Sequence, residues 1–477
     1  MTTQELTRRG FLKAVGLGTA AVAVPGLARS LAEAAAGSAE KPNVIIIFCD
    51  DQGYQDIGCY GSPNIKTPNL DRLAAEGVRF TDFYVSAPIC SASRASLMTG
   101  CYSERIGGLG ALQPETPKDP NSGKQGLNPK EITIAKLLRQ QGYATACVGK
   151  WHLGHRPEFL PTRHGFDYYF GLPYSNDMYP GIPWAKQLGY PPLPLMEGEK
   201  TIETNPDQSQ LTRRYTEKAV ELIKAGRDKP FFLYLAHTMP HWPVAASANF
   251  RGKSKGGIYG DAIEEIDWSV GEILKTLADL GLDKKTLVIH SSDHGPWLIK
   301  GDQGGSALPL RDGKWSLYEG GMRVPCIMRW PGRIPAGAVC RQVAATIDVM
   351  PTLALLAGTK PPADRVIDGK DIWPLMSAKA DATSPHEGYF FSTSGVRAGK
   401  WKLHLARKED LQNVKSGGRY FKRVAPSPVQ LYDLEADISE SKNVAAEHPD
   451  IVERLTKLIE AHNKDLKANS RPAGQAR

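Results

Sequence analysis

Past its first forty residues the chain alternates short apolar runs with segments that repeat hydrophobic positions every three or four residues. Val44-Ile45-Ile46-Ile47-Phe48 is wholly apolar and mostly β-branched, the make-up of a strand buried on both faces. Similar runs predict strands over 143–148, 231–235, 287–290 and 324–329. Between them a helix is expected from Pro68 to Glu76, capped by Thr67, and another over 132–141, ended by Gly142. The span 261–280 carries Ile263, Ile266, Val270, Ile273, Leu274 and Leu277 at helical spacing, a stripe read as core. Strands alternating with helices predict an α/β fold with a largely parallel sheet covered on both faces.

After about Pro385 the pattern changes. Short strands are expected at 388–392, 395–403 and 429–432, followed by an amphipathic helix over 451–466. The organisation expected is therefore a leader over 1–36, a main domain over 41–385, and a smaller α+β unit over 386–477 with a short antiparallel sheet and a helix. The length of 477 residues, 41% hydrophobic, allows a large core and more than one structural unit.

The leader is read as an address rather than as structure. Arg8-Arg9 precedes a small-residue apolar run, Ala14 to Val24, and Ala34-Ala35-Ala36 offers cleavage residues. This resembles a twin-arginine export signal. The run is short and rich in Gly and Ala for a membrane anchor, which leaves an uncleaved anchor as the lesser reading, so a periplasmic or secreted protein is expected, with no stable membrane insertion after cleavage. Its partners would include the twin-arginine export machinery, which carries folded protein.

Charge adds little by itself. The formal net charge of +8 includes Arg8, Arg9, Lys13 and Arg29 against Glu5 and Glu33, a net of +2, so the remainder carries about +6. No nucleic-acid partner is expected. Between Arg397 and Arg423 nine Lys or Arg face only Glu409 and Asp410, which reads as a solvated face or as the border of a cleft for an anionic substrate. Seven cysteines without a C-x-x-C pair argue against a zinc or iron–sulfur framework.

The chemistry gathers behind the predicted strands. Asp50-Asp51 follows the first, Lys150 and His152 follow the second, His241 lies a few residues past Leu235, and Asp293-His294 follows His290. In an open α/β sheet ligands bind outside the carboxyl ends of the strands. Adjacent carboxylates form a solvated turn as often as a metal site, but Asp50, Asp51 and Asp293 together need a cation or basic groups to offset their repulsion. Such oxygen ligands suit Ca²⁺ or Mg²⁺, while His294 would add a nitrogen ligand or sit behind the ligands. Arg94, Lys150, Lys314, His152 and His241 supply donors suited to a tetrahedral oxyanion.

One segment joins these residues into a pattern. Cys90-Ser91-Ala92-Ser93-Arg94, followed by Thr99-Gly100, resembles the signature of the type I sulfatases of the alkaline phosphatase superfamily. In them the cysteine is oxidised after translation to formylglycine. From Pro42 onward the likeness continues through Asp50-Asp51, Gly149-Lys150-Trp151-His152, Gly171 to Asp177, Pro240-His241-Trp242-Pro243, Ser292-Asp293-His294-Gly295, Gly313-Lys314 and Tyr318-Glu319-Gly320-Gly321. The segment from Gly171 to Asp177 is similar to that in which arylsulfatases and galactosamine-sulfatases place a serine.

That resemblance implies a large, mostly parallel mixed sheet covered by helices, with a smaller C-terminal α+β subdomain. It implies a sulfuric ester hydrolase acting on aryl or carbohydrate sulfates. Asp50, Asp51, Asp293, His294 and the modified Cys90 would hold calcium, or magnesium, and Arg94 would stabilise the hydrated aldehyde. Lys150, Ser175, His241 and Lys314 would bind sulfate oxygens, with His241 or Lys314 protonating the departing alcohol. His152 would deprotonate the second hydroxyl of the hydrate, so that sulfate is eliminated. A formylglycine-generating maturation enzyme is then a required partner.

Two positions depart from the commonest pattern. Ala92 stands where proline is usual, a variant that resembles the pattern read by oxygen-independent radical maturation enzymes. His294 stands where many members have asparagine. Loops over 108–130 and 182–205 are expected to shape specificity. The competing readings are a phosphate or phosphonate ester hydrolase of the same superfamily, and a non-catalytic glycan-binding protein in which Cys90 stays a thiol.

Overall fold

The computed structural model describes residues 41–476 apart from 227, 409, 413–421 and 425; the expected leader lies outside the described residues. Among the described residues ten strands form the main sheet: β1 (Asn43–Cys49), β2 (Val78–Phe80), β3 (Ala144–Gly149), β4 (Tyr168–Gly171), β5 (Pro194–Glu197), β6 (Lys200–Thr204), β7 (Phe231–Ala236), β8 (Thr286–Ser292), β9 (Cys326–Arg329) and β10 (Ala338–Cys340). Their spatial order is β10-β2-β9-β8-β1-β7-β3-β4-β5-β6. The five central strands from β8 to β4 run parallel. On one side β9 runs against them, and on the other β5 does, with β6 turning back to the central direction.

The alternation along β1 builds two cores. Val44, Ile46 and Phe48 face a layer containing α2 (Cys90–Thr99) and α3 (Ile134–Gln140), whereas Ile45 and Ile47 face α1 (Pro68–Ala75), α4 (Leu211–Ala225) and α5 (Gly257–Asp279). The predicted stripe Ile263 to Leu277 is wholly buried in α5. Thr67 takes the N-cap position of α1, but its side chain makes no cap bond. Asp267 of α5 accepts from the N–H groups of Asn69 and Leu70 instead, at 3.0 and 2.8 Å, so a neighbouring helix caps this one.

The C-terminal region holds a four-stranded antiparallel sheet: β11 (Tyr389–Phe391), β12 (Gly395–Ala398), β13 (Trp401–His404) and β14 (Gln430–Asp433). Val396, Ala398, Leu403 and Leu431 pack on Leu455 and Ile459 of α6 (Pro449–Asn469). Two cations of the expected basic face are corrected here, while the side chains of Lys415, Arg419, Lys422 and Arg423 lie outside what the structure describes. Arg397 and Lys402 are cross-strand partners and both are buried, pairing with Asp82 at 2.6 Å and with Glu319 at 2.8 Å. Period-two alternation turns Val396 and Leu403 toward α6 and these two cations the other way. The described residues from Pro42 onward form one compact unit.

Candidate active site

Strand register brings the charged residues together. Cys49 pairs with Ser292, so Asp50 and Asp293 leave β1 and β8 side by side, and the Asp293 N–H donates to Cys49 O at 3.1 Å. Gly149 pairs with Ala236, and the Lys150 N–H donates to Ala236 O at 2.8 Å. A Cβ on Gly149 would lie 1.8 Å from that same oxygen, and its φ is +109, so the turn into Lys150 requires glycine. Asp51 and His152 adopt positive φ of 64 and 57, a strain of about 1–3 kcal/mol each that persists where packing imposes it.

Cys90 opens α2, and Arg94 lies one turn on, so both project from one face. The Cys90 sulfur is 3.2 Å from His294 Nε2, 3.6 Å from Asp50 Oδ1 and 3.6 Å from Lys314 Nζ. Arg94 Nε donates to Asp293 at 3.0 Å and its Nη2 is 3.4 Å from Asp50. Lys150 Nζ bonds Asp50 and donates to Ser175 Oγ at 3.2 Å. Lys314 Nζ donates to Asp51 at 2.7 Å, and His241 Nε2 lies 3.8 Å from the same carboxylate. All these side chains are buried.

The imidazoles have assignable tautomers, because a carbonyl only accepts. His241 Nδ1 lies 2.6 Å from Trp242 O and His294 Nδ1 lies 3.0 Å from Gly295 O, so each presents an Nε2 lone pair to the crevice. His152 donates from Nε2 to Leu112 O at 2.8 Å, and its buried Nδ1 has no protein partner. Burial, reinforced by Lys150 for His152 and by Lys314 for His241, holds both well below the usual imidazole range. Burial pushes His294 down to about 4.

The carboxylates are pulled apart. Burial pushes Asp50 up, but Lys150 and Arg94 outweigh it and hold its carboxyl well below the usual range. Asp51 goes the other way: burial, with Asp50 and Asp293 beside it, exceeds the opposing pull of Lys314. Burial pushes the Cys90 thiol up despite Lys150 and Lys314, so at neutral pH the coded residue is a thiol and a poor nucleophile. Two sets of side chains bring ligand atoms within 4.8 Å of one another: Asp50, Cys90, Asp293 and His294, and Asp50, Asp51, Cys90 and His241. Three hard carboxylates and an imidazole lone pair fit a divalent cation.

All the candidate side chains named from the sequence therefore converge on this crevice, His152 by backbone position and charge rather than by a side-chain bond to the others. Sequence reasoning missed its outer parts. Asp177 is buried with one carboxylate oxygen lacking a hydrogen-bond partner. Lys300 Nζ stands 3.8 Å over Trp242 and 4.2 Å over Trp297, while Lys314 Nζ is 4.3 Å from Trp297. Asp177 and Trp242 lie inside quoted motifs; no periodicity marks Trp297 or Lys300. Both expected specificity loops line one cleft of about 780 Å³ with Glu115, Asp119, Pro191 and Pro192, beside Pro173 and Tyr174, which precede Ser175.

A family model described as Sulfatase matches residues 42–359. The chain belongs to the sulfatase family. A second model, N-sulphoglucosamine sulphohydrolase, C-terminal, matches residues 311–465. The sulfatase is 38% identical over 462 residues to N-acetylgalactosamine-6-sulfatase of Canis lupus familiaris, covering 91% of this chain and 88% of that one. It is 38% identical to human arylsulfatase A, over 88% and 87% of the two chains. The solved structure of Ps i-CgsB in complex with k-i-k-neocarrahexaose superposes with a TM-score of 0.73 at 31% identity, covering 92% and 95%. The protein is a sulfuric ester hydrolase with the fold of the alkaline phosphatase superfamily.

Proposed function

We propose that this sulfatase is an exported enzyme that hydrolyses carbohydrate sulfate monoesters, through a formylglycine made from Cys90 and a bound Ca²⁺. The carrying observation is the position of Cys90: its sulfur faces Asp50, His294 and Lys314 at 3.2–3.6 Å while burial keeps it an unreactive thiol. Oxidised and hydrated, residue 90 would supply two hydroxyls on one carbon, one to attack sulfur and one to drive release of sulfate. A divalent cation held by Asp50, Asp51, Asp293 and His294 would lower the pKa of that nucleophile and polarise a sulfate oxygen. Calcium suits the three carboxylates better than magnesium, which demands closer octahedral geometry.

The remaining roles belong to the chain itself. Arg94 fixes Asp293 and offsets its charge. Lys150 and Ser175, already bonded to each other, present donors to the sulfate oxygens. Of the two candidates for protonating the leaving alcohol, His241 presents a bare Nε2, whereas Lys314 stays charged because Asp51 outweighs the effect of burial. Lys314 is therefore the proton donor, and His241 accepts a substrate hydrogen. His152 keeps an unprotonated Nδ1 as the base for the second hydroxyl.

Carbohydrate sulfates are favoured over aryl sulfates by the 780 Å³ cleft between the two loops and by the sugar-directed names of the relatives. Export rests on Arg8-Arg9 and the apolar run after it; among the described residues no helix is long and apolar enough to cross a membrane. Ala92 supports maturation by a radical enzyme before export. Residues 386–477 act as a subdomain that braces the catalytic region over 41–385. The test is turnover of sulfated saccharides alongside matched nitrophenyl sulfate and phosphate. Sulfate esters should be cleaved at least about tenfold faster than phosphate; a clear phosphate preference would sink the assignment.

A further inference from the structure

Lys314 sits on a loop whose two ends are held by one residue from far along the chain. At one end Arg311 Nη1 donates to the backbone carbonyl of Glu440 at 2.8 Å. At the other the Glu319 N–H donates to the Glu440 carboxylate at 2.6 Å. Between these anchors Asp312 and Trp315 adopt positive φ of 65 and 75, so the loop is bent tightly around Lys314. Its ammonium reaches Asp51 and Cys90.

Glu440 is fully buried and itself has a positive φ of 50, a conformation that needs support from its surroundings. That support is present. The Glu440 N–H donates to Asp437 O at 3.2 Å, and the Asp437 carboxylate accepts from the N–H groups of Ser441 and Lys442 at 2.7 and 2.8 Å. Lys402 of β13 lies between the acids, 2.8 Å from Glu319 and 2.9 Å from Glu440, and offsets their repulsion. Arg311 is further fixed over the Tyr318 ring at 3.7 Å and by Tyr432 Oη at 3.2 Å.

The geometry points to Glu440 as a positioning residue for Lys314: by holding Arg311 and Glu319 together, the C-terminal region sets where the ammonium enters the crevice. The inference rests on the assignment of Lys314 to sulfate binding and proton donation. A purely structural Glu440 would lower stability and affect activity independently of Lys314. A positioning Glu440 has its effect on turnover only while Lys314 is present.

The experiment is a double-mutant cycle on kcat/KM for nitrophenyl sulfate, using protein in which modification of residue 90 is verified by mass. Lys314→Met should lower kcat/KM about 100-fold. Glu440→Ala should lower it about tenfold, Glu440→Gln less, and Glu440→Ala added to Lys314→Met should change it less than about twofold. Should Glu440→Ala fail to fold, Arg311→Met, which frees only the other end of the loop, must show the same non-additivity. Wild-type kinetics in both Glu440→Ala and Arg311→Met, or losses that multiply with that of Lys314→Met, would overturn the inference alone. Wild-type turnover in Lys314→Met would remove the role of Lys314 and the inference with it.

Discussion

Two buried clusters in this sulfatase hold the same formal charges. The crevice has Asp50, Asp51 and Asp293 with Arg94, Lys150 and Lys314. Beside the C-terminal sheet lie Asp82, Glu319 and Glu440 with Arg323, Arg397 and Lys402. In the second cluster pairing is complete around Glu319: Lys402 at 2.8 Å, Arg323 at 3.2 Å and the Tyr84 hydroxyl at 2.7 Å all reach its carboxylate. Burial alone would push Glu319 up, but Lys402, Arg323 and Arg397 hold it down to about 2. In the crevice Asp51 is pushed up even with Lys314 bonded to it, by burial first and then by Asp50 and Asp293 beside it. Burial, with Glu319 beside it, pushes Glu440 up to about 7 despite Lys402, so each cluster holds one carboxylate down and another up. The difference is that protein cations close the second cluster and tie two parts of the fold together, whereas the carboxylates of the crevice gather around Cys90 and would take a cation.

The largest expected effect separates chemistry from folding. Cys90→Ser should cut nitrophenyl sulfate turnover by at least about 10³-fold while its melting temperature stays within about 2 °C of the parent. Next come paired neutralisations, one in each cluster. Glu319→Gln should cost about 3–5 kcal/mol in denaturant unfolding, since it leaves buried cations short of a partner. Compared in metal-free protein, Asp51→Asn should leave stability unchanged or higher by about 1 kcal/mol, yet it should abolish turnover when metal is supplied. Equal losses of stability in the two would erase the distinction.

Removing the metal sharpens the same contrast. Chelation should abolish turnover and lower the melting temperature, and added Ca²⁺ should restore both more fully than Mg²⁺. The smallest effect is a pH dependence. Glu319 has a folded pKa of about 2 against 4.5 for an ordinary glutamate, so the folded state holds fewer protons than the unfolded one between those values. Its pairing is then fully stabilising above pH 4.5 and fades as pH falls toward 2. The gap in melting temperature between wild type and Glu319→Gln should narrow from about pH 5 to about pH 3.

The crevice is legible in the sequence because its address is local. Asp50 and Asp293 each follow a β-branched run, and strand register puts them side by side. The second cluster has no such address. Asp82 meets Arg397, and Glu319 meets Lys402 and Glu440, across separations that periodicity does not encode. Arg397 and Lys402 lie in a basic run that resembles a solvated face, and only the pairing of β12 with β13 turns both inward. The parallel sheet and the core stripe of α5 could be read because alternation and helical spacing follow from burial alone. Asp177, Lys300 and Trp297 could not, since they gain meaning only from the neighbours that surround them.

The central claim is that Cys90 matters for the aldehyde it becomes. Its most direct test is mass analysis of the tryptic peptide ending at Arg94, from protein made in its own host, alongside sulfate turnover by the same preparation. The account predicts a peptide lighter by the difference between a thiol and an aldehyde, in a fraction that tracks turnover. An unmodified thiol in a preparation that cleaves sulfate esters at full rate would contradict it.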